Sequence, residues 1–216
     1  MEINIWLILS QLILGVFLAA ATGYSTWLPM LIINFFCHAG WIKLNSSFEW
    51  LGSDAMLVIL LVAALLDILS EYVPVLDNLL HSTLALACKF TAGAVLTAGV
   101  IQGLHPIPAA IMGIVAGGTT SSIVGWNKAV IRKASTVTTG GIANPIINTI
   151  EHSLSGISTA FAAVVSTLLP PPVTIFVLVA GAMTMLTASG YLTYKLIKGL
   201  WDWASKKKSL KGGASK

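Results

Sequence analysis

INIWLILSQLILGVFLAAATGYSTWLPMLIINFFCHAGWI, residues 3–42, contains no Asp, Glu, Lys or Arg. A helix needs about 20 apolar residues to cross the hydrocarbon core of a bilayer, so this stretch is long enough for one to two passes. Residues 90–127 and 152–194 are equally free of those four residue types. Across all 216 residues, 56% are hydrophobic and only 9% charged, with a mean hydropathy of +0.87. A soluble globular domain carries roughly 25% charged residues. Too few charges remain here to wet a surface, which excludes a soluble enzyme, a nucleic-acid-binding module, a disulfide-rich secreted domain and a disordered chain. The sequence predicts an all-α, polytopic transmembrane helical bundle of about six crossings.

Within the quoted stretch, residues 3–22 read as a retained membrane helix rather than a cleaved signal. Glu2 stands where a basic n-region would, and the apolar run exceeds the 7–15 residues typical of an h-region. A single helix over 3–37 would be near 52 Å at about 1.5 Å per residue, longer than the core. The first segment is therefore broken, at Gly23 or at Pro29, and residues 24–37 form a tilted continuation or a re-entrant arm. Residues 38–53 read as an interfacial loop carrying Trp41 and Trp50.

The remaining crossings are predicted over 54–71, 75–101, 106–124, 145–168 and about 173–200, with a polar, basic stretch at 126–141 holding Lys128, Arg132 and Lys133. The net charge of +4 owes much to Lys206, Lys207, Lys208, Lys211 and Lys216, the mark of a cytoplasmic end. With that tail inside, alternation puts 126–141 inside too, the loop 38–53 outside and the N-terminus inside. The expected organisation is one transmembrane domain, 1–204, followed by a basic tail, 205–216, in a bacterial inner membrane.

Two segments resemble each other. Pro74-Val75-Leu76-Asp77 leads to His81-Ser82, and Pro145-Ile146-Ile147-Asn148 leads to His152-Ser153. Each opens a helix that ends at a proline turn, so repeat units over 74–124 and 145–200 are expected, related by an axis along the membrane normal.

Ionisable residues inside such a bundle are the functional candidates. Asp77, His81, Asn144, Asn148, Glu151 and His152 fall near the cytoplasmic ends of helices 75–101 and 145–168, where they could bind a substrate or ion. Asn148, Glu151, His152, Ser155, Ser158, Thr159 and Ser166 share about 120° of one helix face at 3.6 residues per turn. Small hydroxyl residues on such a face also pack helices together. Asp67, Glu71 and Lys89 are candidates for buried charge pairing, and Lys89, midway along a crossing, needs a partner on another helix. Gly113-x-x-x-Gly117 and Gly99-x-x-x-Gly103 carry the spacing of close helix contacts. Cys37 and Cys88 lack metal-ligand spacing, and no metal or cofactor is expected. No hydrolase, zinc-protease or nucleotide-binding motif is present, so the chain reads as a non-enzyme.

The order of several motifs resembles a known group. These are Thr22-Gly23-Tyr24-Ser25-Thr26-Trp27-Leu28-Pro29, Phe48-Glu49-Trp50-Leu51, and Leu66-Asp67-Ile68-Leu69 through Glu71, Pro74 and Asp77. Thr91-Ala92-Gly93-Ala94, Lys128-Ala129 with Arg132, and Thr138-Thr139-Gly140 through Asn144-Pro145 to Glu151 follow. Over residues 14–190 the chain is similar to the domain of unknown function 4126 family of small bacterial membrane proteins. It departs at Ser25, where the family often has arginine, at Asp67, where it has glutamate, at Lys89-Phe90, where it has Arg-Pro, and at His152, where it has an acid. The resemblance implies a compact helical bundle and supplies no activity.

Two functions compete on these grounds. One is a small transporter or permeation protein for an unidentified small molecule or ion. The other is a non-catalytic accessory or scaffold subunit of a larger membrane complex. Either works in a lipid bilayer, as a homo-oligomer or in a larger assembly, with no role for nucleic acid.

Overall fold

The computed structural model describes residues 4–72, 83–139 and 144–184, with Thr187, Tyr191, Tyr194, Lys195, Lys198 and Gly199 beyond them. Every regular element among these residues is helical: α1 (Ile5–Tyr24), α2 (Leu28–His38), a 3₁₀ helix (Ser46–Gly52), α3 (Asp54–Tyr72), α4 (Thr83–Val100), α5 (Pro106–Met112), a π turn (Gly113–Gly118), α6 (Thr119–Thr139) and α7 (Asn144–Leu168). A last helix, α8 (Pro171–Thr184), follows the proline turn. The repeat of two hairpins cannot be followed, because Pro74–Ser82 lies outside the described residues.

Among the described residues, two helices are long and apolar enough to cross a membrane, Ile5–Tyr24 and Pro106–Val137. A third forms if Ser46–Gly52 and Asp54–Leu69, bent by 59°, count as one span. Many large apolar side chains point outward. Val58, Ile59, Leu65, Leu66 and Leu69 on α3, and Ile146, Ile150, Ile157 and Phe161 on α7, are all exposed. Asn148, Ser155 and Thr159 are buried on the opposite face of α7. A bundle that hides its polar groups and presents Ile, Leu and Val has the polarity lipid demands.

The break in the first segment follows from local chemistry. Asn4 caps α1 by accepting from the Leu7 amide at 3.2 Å, and α1 ends where Ser25 turns extended, its N–H still reaching Ala21 O at 3.2 Å. Pro29 stands in the first turn of α2, where its missing N–H costs nothing but where a continuous helix would have lost a hydrogen bond. The chain breaks at Ser25–Trp27, between the two positions the sequence offered.

After the break the chain turns back. Gln11 Oε1 accepts from the amides of Gln102, at 3.0 Å, and Gly103, at 3.4 Å. Gln102 Nε2 in turn donates to Lys43 O at 2.5 Å. The start of α1, the loop after α2 and the α4–α5 turn therefore share one end of the bundle, called here the near end. This differs from the expectation that the N-terminus and the loop 38–53 lie on opposite faces. Asn45 locks that corner: its Nδ2 donates to Ile101 O (2.8 Å) and Leu104 O (2.9 Å), and its amide to Gly99 O (2.7 Å).

Helix α1 is the hub, packed against α4, α6 and α7. Leu14, Phe17 and Leu18 of α1 join Ile33, Leu51, Leu60, Leu96 and Leu178 in the apolar core. The π turn lets the helix running from Pro106 press on α4 without side chains between. A Cβ on Gly113 would strike Ala94 O, and one on Gly117 would strike Gly93 O and Thr97. That glycine pair behaves as its spacing predicts. The other does not: Gly99 faces Phe48 and Leu44, while Gly103 lies in the turn beside Ile8.

Candidate functional site

The last turn of a helix exposes carbonyls with no partner inside the helix and carries the negative end of its dipole. In α1 those carbonyls are at residues 21–24, inside the bundle. Ser155 Oγ donates to Ala21 O at 2.9 Å. Lys89 Nζ donates to Gly23 O at 2.9 Å, and Lys128 Nζ to Tyr24 O at 2.8 Å. Two ammonium groups from α4 and α6 thus cap one broken helix, a placement that favours positive charge.

Lys128 also meets Glu151 of α7, Nζ to Oε2, at 3.1 Å. Arg132, one turn on, and Ser135 are buried on the same face of α6, at spacings of four and three residues. On α7, Asn148 and His152 are buried like Glu151. On the far side of the break, Ser25 Oγ donates to Asp67 Oδ2 at 3.1 Å. Ser25, at the break, and Asp67, from α3, thus touch each other.

Close backbone approach builds this centre. A Cβ on Gly23 would collide with Val124 and come within 2.9 Å of Ser121 O, so only glycine lets α6 lie on α1 here. Ser121 Oγ donates to Lys89 O at 2.6 Å and lies 2.9 Å from the Thr22 hydroxyl. Across Gly125, where a Cβ would fall 2.6 Å from Lys89 Cδ, the lysine stem runs to its carbonyl.

Of the residues singled out in the sequence, Lys89, Asp67, Glu151, Asn148 and His152 line this region. Asp77 and His81 lie outside the described residues, as do the side chains of Glu71 and Asn144. Helix α1 packs on both α4 and α7, the helices that carry the sequence candidates. Within the polar, basic stretch 126–141, α6 continues to Thr139, and Lys128 and Arg132 are 4% and 5% exposed. The sequence marks their stretch only as polar and basic, and does not single out either residue for the site. Their helical spacing, with no Gly or Pro between Gly125 and Gly140, is the available signal. Among the described residues, no group of three or more His, Cys, Asp or Glu could hold a metal ion.

Fold and site together define a helical membrane protein with a charged interior built on a broken helix. The chain belongs to the family described as Domain of unknown function (DUF4126), whose model matches residues 12–190. No curated protein and no solved structure matches the chain.

Proposed function

We propose that this protein is a small transport or permeation protein of the bacterial inner membrane, working on a charged or proton-coupled solute. In this reading α1 and α2 form a hairpin that enters and leaves at the near end, while α3, α4, α5–α6, α7 and α8 each cross. With the lysine-rich tail in the cytoplasm, the near end faces outward. The observation that carries the reading is the helix break at Ser25–Trp27, with its carbonyl ends held by Lys89 and Lys128. Discontinuous helices inside a bundle are where transporters place ion and substrate sites. Lys128 has two acceptors, Glu151 and Tyr24 O. A proton or cation arriving at Glu151 weakens one of them and releases the ammonium toward the other. Charge arrival is thereby linked to the hold on the broken helix.

The test is flux in proteoliposomes under a pH gradient and under gradients of small cations and anions. The parent protein is expected to carry one of these fluxes and Glu151→Gln to lose it. A parent with no flux under any gradient sinks the reading. The direct pairing of Lys128 with Glu151 favours a second reading, a non-catalytic subunit whose buried charges fix helix register. Mass spectrometry after gentle detergent extraction decides that one, since a subunit carries other chains with it and a self-sufficient protein does not.

A further inference from the structure

At the near end, across the length of α1 from the charged centre, lies a half-open cavity of about 340 Å³. Ligand sites occupy roughly 300–1,000 Å³, so it has room for a polar headgroup and a few methylenes. Its walls divide by chemistry: Leu7, Leu14, Ile42 and Val100 are apolar, while Gln11, Lys43 and three hydroxyl residues of the α7–α8 corner are polar.

Gln11 makes this a built site. Its side chain is buried, with 8% exposed, and its Oε1 is committed to the Gln102 and Gly103 amides. Its amide NH₂, which lines the cavity, is engaged by no hydrogen bond among the described residues and is free to donate to a ligand. The hydroxyls of Ser166 and Thr174 already donate to backbone carbonyls of α7 and of the turn after it. Among the donors left for a ligand are the Gln11 amide and, at the exposed rim, the Lys43 ammonium. Trp41 stands beside them, stacked edge-on against Phe36 with centroids 5.5 Å apart, in the manner of an interfacial anchor.

We infer that this cavity binds an anionic, oxygen-rich headgroup, a phosphate ester or carboxylate held by Gln11 and Lys43, with the attached alkyl chain running against Leu7 and Leu14. The inference is separate from the transport reading and stands or falls without it. The shared chemistry has two sources, an anionic phospholipid or a free anion.

The test is native mass spectrometry of the full chain in detergent, titrated separately with short-chain phosphatidylglycerol, short-chain phosphatidylcholine and inorganic phosphate. Phosphatidylglycerol is expected to bind in preference to phosphatidylcholine. Gln11→Glu keeps the acceptor for the Gln102 and Gly103 amides but replaces the donor by an anionic oxygen. It is expected to weaken phosphatidylglycerol binding about tenfold or more, the loss of one charge-assisted hydrogen bond. Lys43→Ala, at an exposed position, is expected to weaken it several-fold and serves as the decisive variant if Gln11→Glu does not fold. Phosphate binding as tight as phosphatidylglycerol assigns the site to a free anion. Binding of neither, or binding unchanged in the folded variants, overturns the inference.

Discussion

The Lys128 ammonium and the Glu151 carboxylate lie 3.1 Å apart inside the bundle, with 4% and 9% of their side chains exposed. Removing one member of a buried pair strands a charge and costs about 3–5 kcal/mol. Lys128→Met takes the cation from both Glu151 and Tyr24 O, whereas Glu151→Leu leaves the ammonium on a carbonyl at the negative end of α1. The lysine variant is therefore expected to be the more damaging. The double variant is expected to lose less than the sum of the two. Thermal denaturation in detergent, run as a double-mutant cycle, measures this. Strict additivity would mean the pair carries no coupling.

Gly23 and Gly40 make opposite demands on a methyl group. At Gly23 the backbone is ordinary helix, but a Cβ would meet Val124 and Ser121 O. Gly23→Ala must push α6 off α1 and lengthen the reach of Lys128 to Tyr24 O. A loss of about 1–3 kcal/mol, as for overpacking, is expected. At Gly40 nothing lies within 4 Å of a Cβ, but φ is +73°. Gly40→Ala is expected to cost about 1–2 kcal/mol through the left-handed backbone alone, and Gly40→Asn less. Melting temperatures of the three variants separate crowding from strain.

These two sites show what the sequence could and could not disclose. The polar face of α7 was legible, because Asn148, Glu151, His152, Ser155 and Thr159 recur at the helical period and all are buried. Lys89 was legible as a cation needing a partner on another helix. Its acceptor, Gly23 O, was not, since main-chain carbonyls carry no side-chain signature and become acceptors only where a helix ends. The break itself was foreseeable from Gly23 and Pro29, yet its position at Ser25–Trp27 decides which carbonyls are freed. Lys128 and Arg132 were hidden for a different reason. A basic stretch flanking an apolar one resembles a cytoplasmic loop by charge counting. Only the tertiary pairing with Glu151 shows that Lys128 faces inward.

His38 closes α2 against α3 in a pH-dependent way. Its Nδ1 lies 3.0 Å from Asn34 O and its Nε2 2.8 Å from Asp54 Oδ1. Two acceptors on one ring call for both nitrogens to be protonated. The Asn34 carbonyl first, and Asp54 second, push the His38 pKa above its ordinary 6.5. A histidine raised on folding adds stability that is fully present below pH 6.5. It is lost as pH climbs through the raised value. Melting temperature is therefore expected to fall on raising the pH from 6.5, and Asp54→Asn to flatten that dependence. A wild-type profile identical to that of Asp54→Asn would show that the clasp contributes nothing.

The direction in which α2 leaves the break can be read with single cysteines. In a background of Cys37→Ala and Cys88→Ala, Asn4→Cys and Glu49→Cys place thiols on exposed near-end residues, and Lys133→Cys places one on an exposed turn of α6 beyond the charged centre. Gln11 and Lys43 both contact Gln102, which holds the start of α1 and the loop after α2 together. A membrane-impermeant maleimide added to intact cells or oriented vesicles is expected to treat Asn4→Cys and Glu49→Cys alike and Lys133→Cys oppositely. A first segment that crossed once and did not return would group Asn4→Cys with Lys133→Cys instead. That outcome would place the helix break on a through-going span. It would also undo the hairpin and return the N-terminus to the cytoplasmic side, while the lysine-rich tail still sets the near end outward.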